Sequence, residues 1–144
     1  MSLIDYLDDR GTIARCGELG IGVVIYEPLA GGILTGKTLE QVRATWTGPW
    51  VEAAFYKRLL DPGRGERSFA VADRMRPIAA RLGVTVAQVA IAWVLHQPGV
   101  TAAIAGSRNA RHVRENARSS HVDLTDSLDD LEKLIPLGPT FAKP

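Results

Sequence analysis

The stretch Gly22–Lys37, GVVIYEPLAGGILTGK, decides how the rest of the chain is read. Gly22–Tyr26 is a short apolar run rich in β-branched residues, long enough for one buried strand. Glu27–Lys37 comes next, with a proline, three glycines and a terminal lysine. Glycine lets a backbone approach a ligand closely and turn its N–H groups inward. A strand feeding such a loop puts a candidate anion site at the strand's C-terminal end, where parallel α/β folds hold their ligands.

Working outward, Thr12–Leu19 reads as a helix ahead of that strand. Thr12 is its expected N-cap, Ile13, Cys16 and Leu19 form its apolar face, and Gly20 is its stop. Met1–Tyr6 carries no clear signal. On the other side, Thr38–Gly65 reads as a loop-rich insertion, with helical pieces at Thr38–Trp46 and Val51–Leu60 and a turn over Asp61–Gly65. The rings of Trp46, Trp50 and Tyr56 fall in it. Such rings can line a pocket, but more ordinarily they pack a loop onto its own domain.

Ser68–Leu82 is a helix by its stripe of Val71, Met75, Ile78, Ala79 and Leu82, and Gly83 ends it. Thr85 and Gln88 then match a capping box ahead of a buried apolar helix, Val86–His96. Thr101–Ala105 is a second strand. Gly106-Ser107-Arg108-Asn109 comes directly after it, and Asn109 can cap a helix over Ala110–Ala117 with Val113 inward. A glycine turn at a helix N-terminus beside arginine suits phosphate. Thr125–Leu134 reads as a last helix and Pro136–Pro144 as a tail.

Both strands thus end in a glycine-containing junction with a basic residue, Lys37 or Arg108. Two adjacent anion sites fit a ligand with two phosphate groups, such as a dinucleotide with a pyrophosphate and a 2′-phosphate. Glycine at such boundaries serves backbone geometry at least as often, and no G-x-G-x-x-G occurs.

Composition narrows the field. The 144 residues suit one domain, and a net charge of +1 gives no global field for nucleic acid or an anionic membrane. No apolar run approaches a bilayer span, and the three aspartates of Met1–Arg10 argue against a signal peptide. One cysteine, Cys16, precludes an intrachain disulfide and fits a reducing, cytoplasmic setting. On the apolar helix face it reads as inert core. His96 reads as a cap or packing residue and His121 as a loop residue.

Three segments together resemble the aldo-keto reductases. Gly20–Lys37 is similar to their seventh-strand segment. Val84–Asn116, VTVAQVAIAWVLHQPGVTAAIAGSRNARHVREN, is similar to their penultimate helix, eighth strand and adenosine-phosphate motif. Asp123–Leu134 resembles the family's segment C-terminal to that motif, and Ser2–Asp5 resembles the stretch after their sixth strand. The resemblance implies an α/β fold, the C-terminal portion of a (β/α)8 barrel with its last two strands, and NADP(H) as cofactor. By the same resemblance Tyr26 stacks on the nicotinamide. Pro28, Leu29, Ala30, Gly32 and Lys37 surround the pyrophosphate. Gly106, Ser107, Arg108 and Asn109 hold the 2′-phosphate, with His112 near it. Glu115 and Asn116 bond the adenine edge.

Two positions depart from the family pattern. Glu27 stands where serine is common. A carboxylate there repels a pyrophosphate, so either it points away or binding is weaker. His112 is a poorer permanent cation than the arginine often found there. The family's catalytic tyrosine, lysine, aspartate and histidine lie in the first half of its barrel and have no counterpart here. The implied reading is therefore the cofactor-binding part of a carbonyl reductase, inactive alone, needing copies of itself or an N-terminal half to close its sheet. A non-enzymatic NADP(H)-binding module and a truncated piece without its own function are the rival readings.

Overall fold

In the computed structural model, which describes residues 1–4, 6–46 and 64–135, the two expected strands pair side by side and parallel. β1 is Val23–Tyr26 and β2 is Val100–Ile104. Val23 faces Val100, and then the register slips by one, so that Val24, Ile25 and Tyr26 face Ala102, Ala103 and Ile104. Thr101 is the extra residue of this bulge. The strands are not buried on both faces, as their composition implied. Ile25 is buried, whereas Val24, Tyr26 and Ile104 are more than half exposed. Along β1 the side chains alternate with the pleat, Ile25 inward and Val24 and Tyr26 outward.

α1, Tyr6–Glu18, packs against β1. It begins six residues before Thr12, which is therefore no cap. Its Arg10 and Gly11 are exposed, and a glycine after an arginine gives no helix signal ahead of Thr12. Ile13 is buried, but Cys16 is only half-buried and Leu19 is exposed, which corrects the apolar face expected of them. Gly20 does end the helix. Its N–H donates to the Gly17 carbonyl (3.1 Å), and the Ile21 N–H donates to that of Cys16 (2.9 Å).

After β1 the chain makes a tight 3-10 segment, Ala30–Thr35, and then α2, Leu39–Thr45. Thr38 caps α2 in a reciprocal box with Gln41. α3 is Arg64–Leu82, so Arg64 and Gly65 belong to a helix and not to the expected turn. The expected helix Val51–Leu60, Trp50, Tyr56 and the tail lie outside the described residues. α3 packs on α4, Val86–Leu95, whose capping box is formed as read. The Gln88 N–H donates to Thr85 Oγ1 (3.2 Å), and the Thr85 N–H donates to Gln88 Oε1 (3.1 Å). Val89, Ala90, Trp93 and Val94 are fully buried and form the middle of the core with Val71, Met75, Ile33, Leu34 and Leu3. His96 is the C-cap of α4, its ring Nδ1 2.8 Å from the Ala92 carbonyl.

α5 is Ala110–Arg118, capped by Asn109, whose side-chain oxygen accepts from the Arg111 N–H (2.9 Å). It buries none of its residues, and Val113 is exposed rather than inward. The expected final helix is broken into a 3-10 turn, Thr125–Ser127, and α6, Leu128–Glu132. Asp123 holds the start of the 3-10 turn. Its carboxylate accepts from both the hydroxyl and the N–H of Thr125, which lowers its pKa below the ordinary carboxylate value. Leu131 and Leu134 still reach the core.

Candidate cofactor cleft

A cleft of about 750 Å³ opens at the C-terminal ends of both strands, where Tyr26 and Ile104 form part of its wall. This volume lies within the range of small-molecule and cofactor sites. On the β1 side the loop after the strand supplies Glu27, Pro28, Leu29, Gly32 and Lys37. On the β2 side Gly106, Ser107, His112, Glu115 and Asn116 line it. The two junctions singled out in the sequence therefore face one space.

Three candidates are not among the lining residues. Ala30 is buried within the loop. Asn109 spends its side chain on capping α5. Arg108 is exposed outside the cleft lining. Conversely, Thr35, Thr45, Thr85 and Arg111 line the cleft although the sequence does not single them out for it. Arg111 is visible in the sequence as a cation in the first turn of α5, but a cation on a polar helix carries no signal of its own.

The β1 loop is held in an unusual conformation. Glu27 and Ala30 have φ of 55° and 49°, in the left-handed region that costs an L-residue about 1–2 kcal/mol. Gly31 and Gly32 come next at 64° and 99°, where glycine is at no such disadvantage. Side chains offset the strain. The Gly31 N–H donates to Glu27 Oε2 (2.8 Å), and Trp46 Nε1 donates to the Gly31 carbonyl (2.7 Å). Both polar groups of one residue are thus tethered, one from upstream and one from downstream. Farther along, Arg76 of α3 donates to the Gly36 carbonyl (2.7 Å).

Glu27 therefore neither leaves the cleft nor stands idle in it, since its carboxylate holds the loop. Trp46 does both things expected of a loop aromatic: it is 8% exposed, packed into the core, and it also borders the cleft. Exchanging Glu27 for alanine should cost about 1–2 kcal/mol, because the left-handed turn loses its acceptor. Glu27→Gln keeps an oxygen there and should cost less than half as much. Urea unfolding of the two variants checks this, and equal losses would exclude the tether.

Among the described residues no group of histidine, cysteine, aspartate or glutamate could hold a metal ion, and no single helix is long and apolar enough to cross a membrane.

Comparison with known proteins gives a family. The model of the "Aldo/keto reductase family" matches residues 1–134. An uncharacterized oxidoreductase, YrpG, of Bacillus subtilis (strain 168) is 30% identical over 143 residues, covering 99% of this chain and 39% of its own. A probable voltage-gated potassium channel subunit beta of Arabidopsis thaliana is 34% identical over 123 residues, covering 83% of this chain and 37% of its own. The chain thus spans about two fifths of the length of these relatives. Among solved structures, a thermostable aldo-keto reductase, Tm1743, crystallised with the inhibitor epalrestat, superposes with a TM-score of 0.60. It is 21% identical and covers 93% of this chain and 37% of that one, a likeness of fold.

Proposed function

The chain belongs to the aldo/keto reductase family, and on that footing we propose that it is the cofactor-binding part of an NADP(H)-dependent carbonyl reductase. One observation carries the reading: Tyr26, Lys37, Ser107, Glu115 and Asn116 converge on one cleft across the ends of two parallel strands.

Each residue has a use that follows from its chemistry. The Tyr26 ring is 69% exposed at the end of β1 and offers a flat face to a nicotinamide. Lys37 brings an ammonium to the loop for a pyrophosphate. The Ser107 hydroxyl, the Glu115 carboxylate and the Asn116 amide supply donors and acceptors for the adenosine end. The cofactor, when bound, supplies the hydride. This chain's residues bind and orient it. The tethered Gly31 fixes the loop in advance, which lowers the ordering cost of binding.

No residue at the positions matched here supplies the family's proton-donating tyrosine or its lysine, aspartate and histidine. Among the described residues each strand has one neighbour, so each has an open edge. In the complete reductase those edges meet further strands, supplied by an N-terminal half or by other copies.

Titrating the 144-residue chain with NADPH, followed by nucleotide fluorescence, should give a dissociation constant on the order of micromolar. Adding an aldehyde should cause no oxidation of the nucleotide. Turnover by the chain alone would remove the claim that another part provides the acid. Absence of NADPH binding would remove the cofactor reading and leave a piece without its own function.

A further inference from the structure

Resting on the cofactor reading above, we propose that Glu27 is an internal competitor of the pyrophosphate. Its carboxylate occupies the anion position of the β1 loop in the free chain and gives it up when the nucleotide binds. The contacts of the loop single out one backbone group. The Ala30 N–H donates to the Glu27 carbonyl (3.0 Å), and the Gly32 N–H donates to the Leu29 carbonyl (3.0 Å). Between them, the Gly31 N–H donates to Glu27 Oε2 (2.8 Å). Of these three donors, Gly31 is the one matched by a side-chain anion and not by a backbone carbonyl. Glu27 and Gly31 both line the cleft. An anion therefore already sits on a backbone donor at the ligand space, and it belongs to the chain itself. A phosphate oxygen that seeks the same N–H meets a charge-assisted bond in its place.

The charge balance of the loop points the same way. Over Glu27–Lys37 the only charged side chains are Glu27 and Lys37, and both border the cleft. The pull of the Lys37 ammonium on a pyrophosphate is thus offset by a carboxylate on the same loop. Glu27 is half-buried, so its field is neither fully screened by water nor at full interior strength. One like charge at contact range in such a setting corresponds to about ten-fold in affinity.

The rest of the loop is built to stand when the carboxylate leaves. Trp46 Nε1 donates to the Gly31 carbonyl and Arg76 Nη2 to that of Gly36, and neither bond involves Glu27. Gly31 and Gly32 keep their positive φ without the penalty of a side chain. Glu27 has a long, flexible side chain and can turn away while the backbone stays. Gly31 then exchanges one anionic acceptor for another. The same side chain thus keeps the free loop in shape and weakens its grip on the nucleotide. A purely structural tether would act in one direction only, and its loss would weaken binding.

The test is calorimetric titration of the full chain with NADPH and with adenosine 2′-phosphate, which lacks the pyrophosphate. Glu27→Gln keeps an oxygen for the Gly31 N–H but removes the charge. It should tighten NADPH about ten-fold and leave adenosine 2′-phosphate within about two-fold. Glu40→Gln removes the same charge from the exposed first turn of α2, outside the cleft lining, and should leave NADPH within about two-fold. The Gly31 amide resonance should move as NADPH is added, because its acceptor changes. Unchanged or weaker NADPH binding in Glu27→Gln would overturn the competition while leaving the cofactor reading intact. Equal tightening of adenosine 2′-phosphate, or equal tightening by Glu40→Gln, would reduce the effect to overall charge and overturn it as well. So would a Gly31 resonance that stays in place in the saturated complex. If neither the unaltered chain nor Glu27→Gln binds NADPH, the cofactor reading falls first.

Discussion

Trp93→Ala should lower the free energy of unfolding by about 3–5 kcal/mol. Trp93 is fully buried in the middle of α4. α4 is the element on which α3, β2, the 3-10 segment Ala30–Thr35 and α5 all pack. Removing the indole deletes the largest fully buried side chain among the described residues and leaves a void with walls from several elements. Backbone capped by the Thr85 box cannot collapse far into that void. A domain of this kind holds about 5–15 kcal/mol in all, so the variant should be measurably unfolded in mild denaturant. Trp93→Phe, which keeps most of the volume, should lose less than half as much. Denaturant midpoints at unchanged slope provide the measurement. A loss under about 1 kcal/mol for the alanine variant, below the usual cost of emptying a core site, would mean that α4 is not the centre of the core.

Gly99→Ala should cost about 2–3 kcal/mol, from a strained backbone and an overpacked contact together. Gly99 has φ of 87°, and an added methyl carbon would sit 3.2 Å from the carbonyl oxygen of Ile13. Its neighbour across that contact is Gly17 of α1, 3.6 Å away at the α-carbon. The turn into β2 therefore meets α1 at backbone distance, and neither backbone can yield as a flexible side chain would. Gly83 supplies the control. It has φ of 66° but nothing within 4 Å of an added methyl, so Gly83→Ala carries the conformational cost alone, about 1 kcal/mol. The difference between the two variants in thermal or chemical unfolding is the cost of the close approach. Equal losses would show that α1 and the turn are not held together through this pair.

The legible features are those whose residues lie close together along the chain. The Thr85–Gln88 box, the Asn109 cap and the Gly20 and Gly83 stops are patterns of a few residues, and each formed as read. The Thr38–Gln41 box has the same spacing as Thr85–Gln88, yet the nearby Gly48 and Pro49 mask it by suggesting a loop. Burial is harder. Val24 and Val113 are apolar, but their exposure depends on which elements lie opposite, and that is not a local property. The candidate site divides in the same way. Lys37 and Ser107 can be placed because each comes after its strand within a short loop. Arg111, inside α5, lines the cleft and Arg108, ahead of it, does not, a tertiary placement that residue type alone does not encode. The role of Glu27 is hidden because it acts on the backbone, through a left-handed turn that composition does not announce.

The bond from the Trp46 indole to Gly31 has a spectroscopic consequence. It puts a natural fluorophore in the wall of the cleft, attached to the loop that would meet the pyrophosphate. A reduced nicotinamide absorbs where an indole emits, so light absorbed by Trp46 can leave through a bound nucleotide. The chain thus carries its own optical gauge of occupancy, needing no label, and a Trp46→Phe protein would be the blank against which its signal is read.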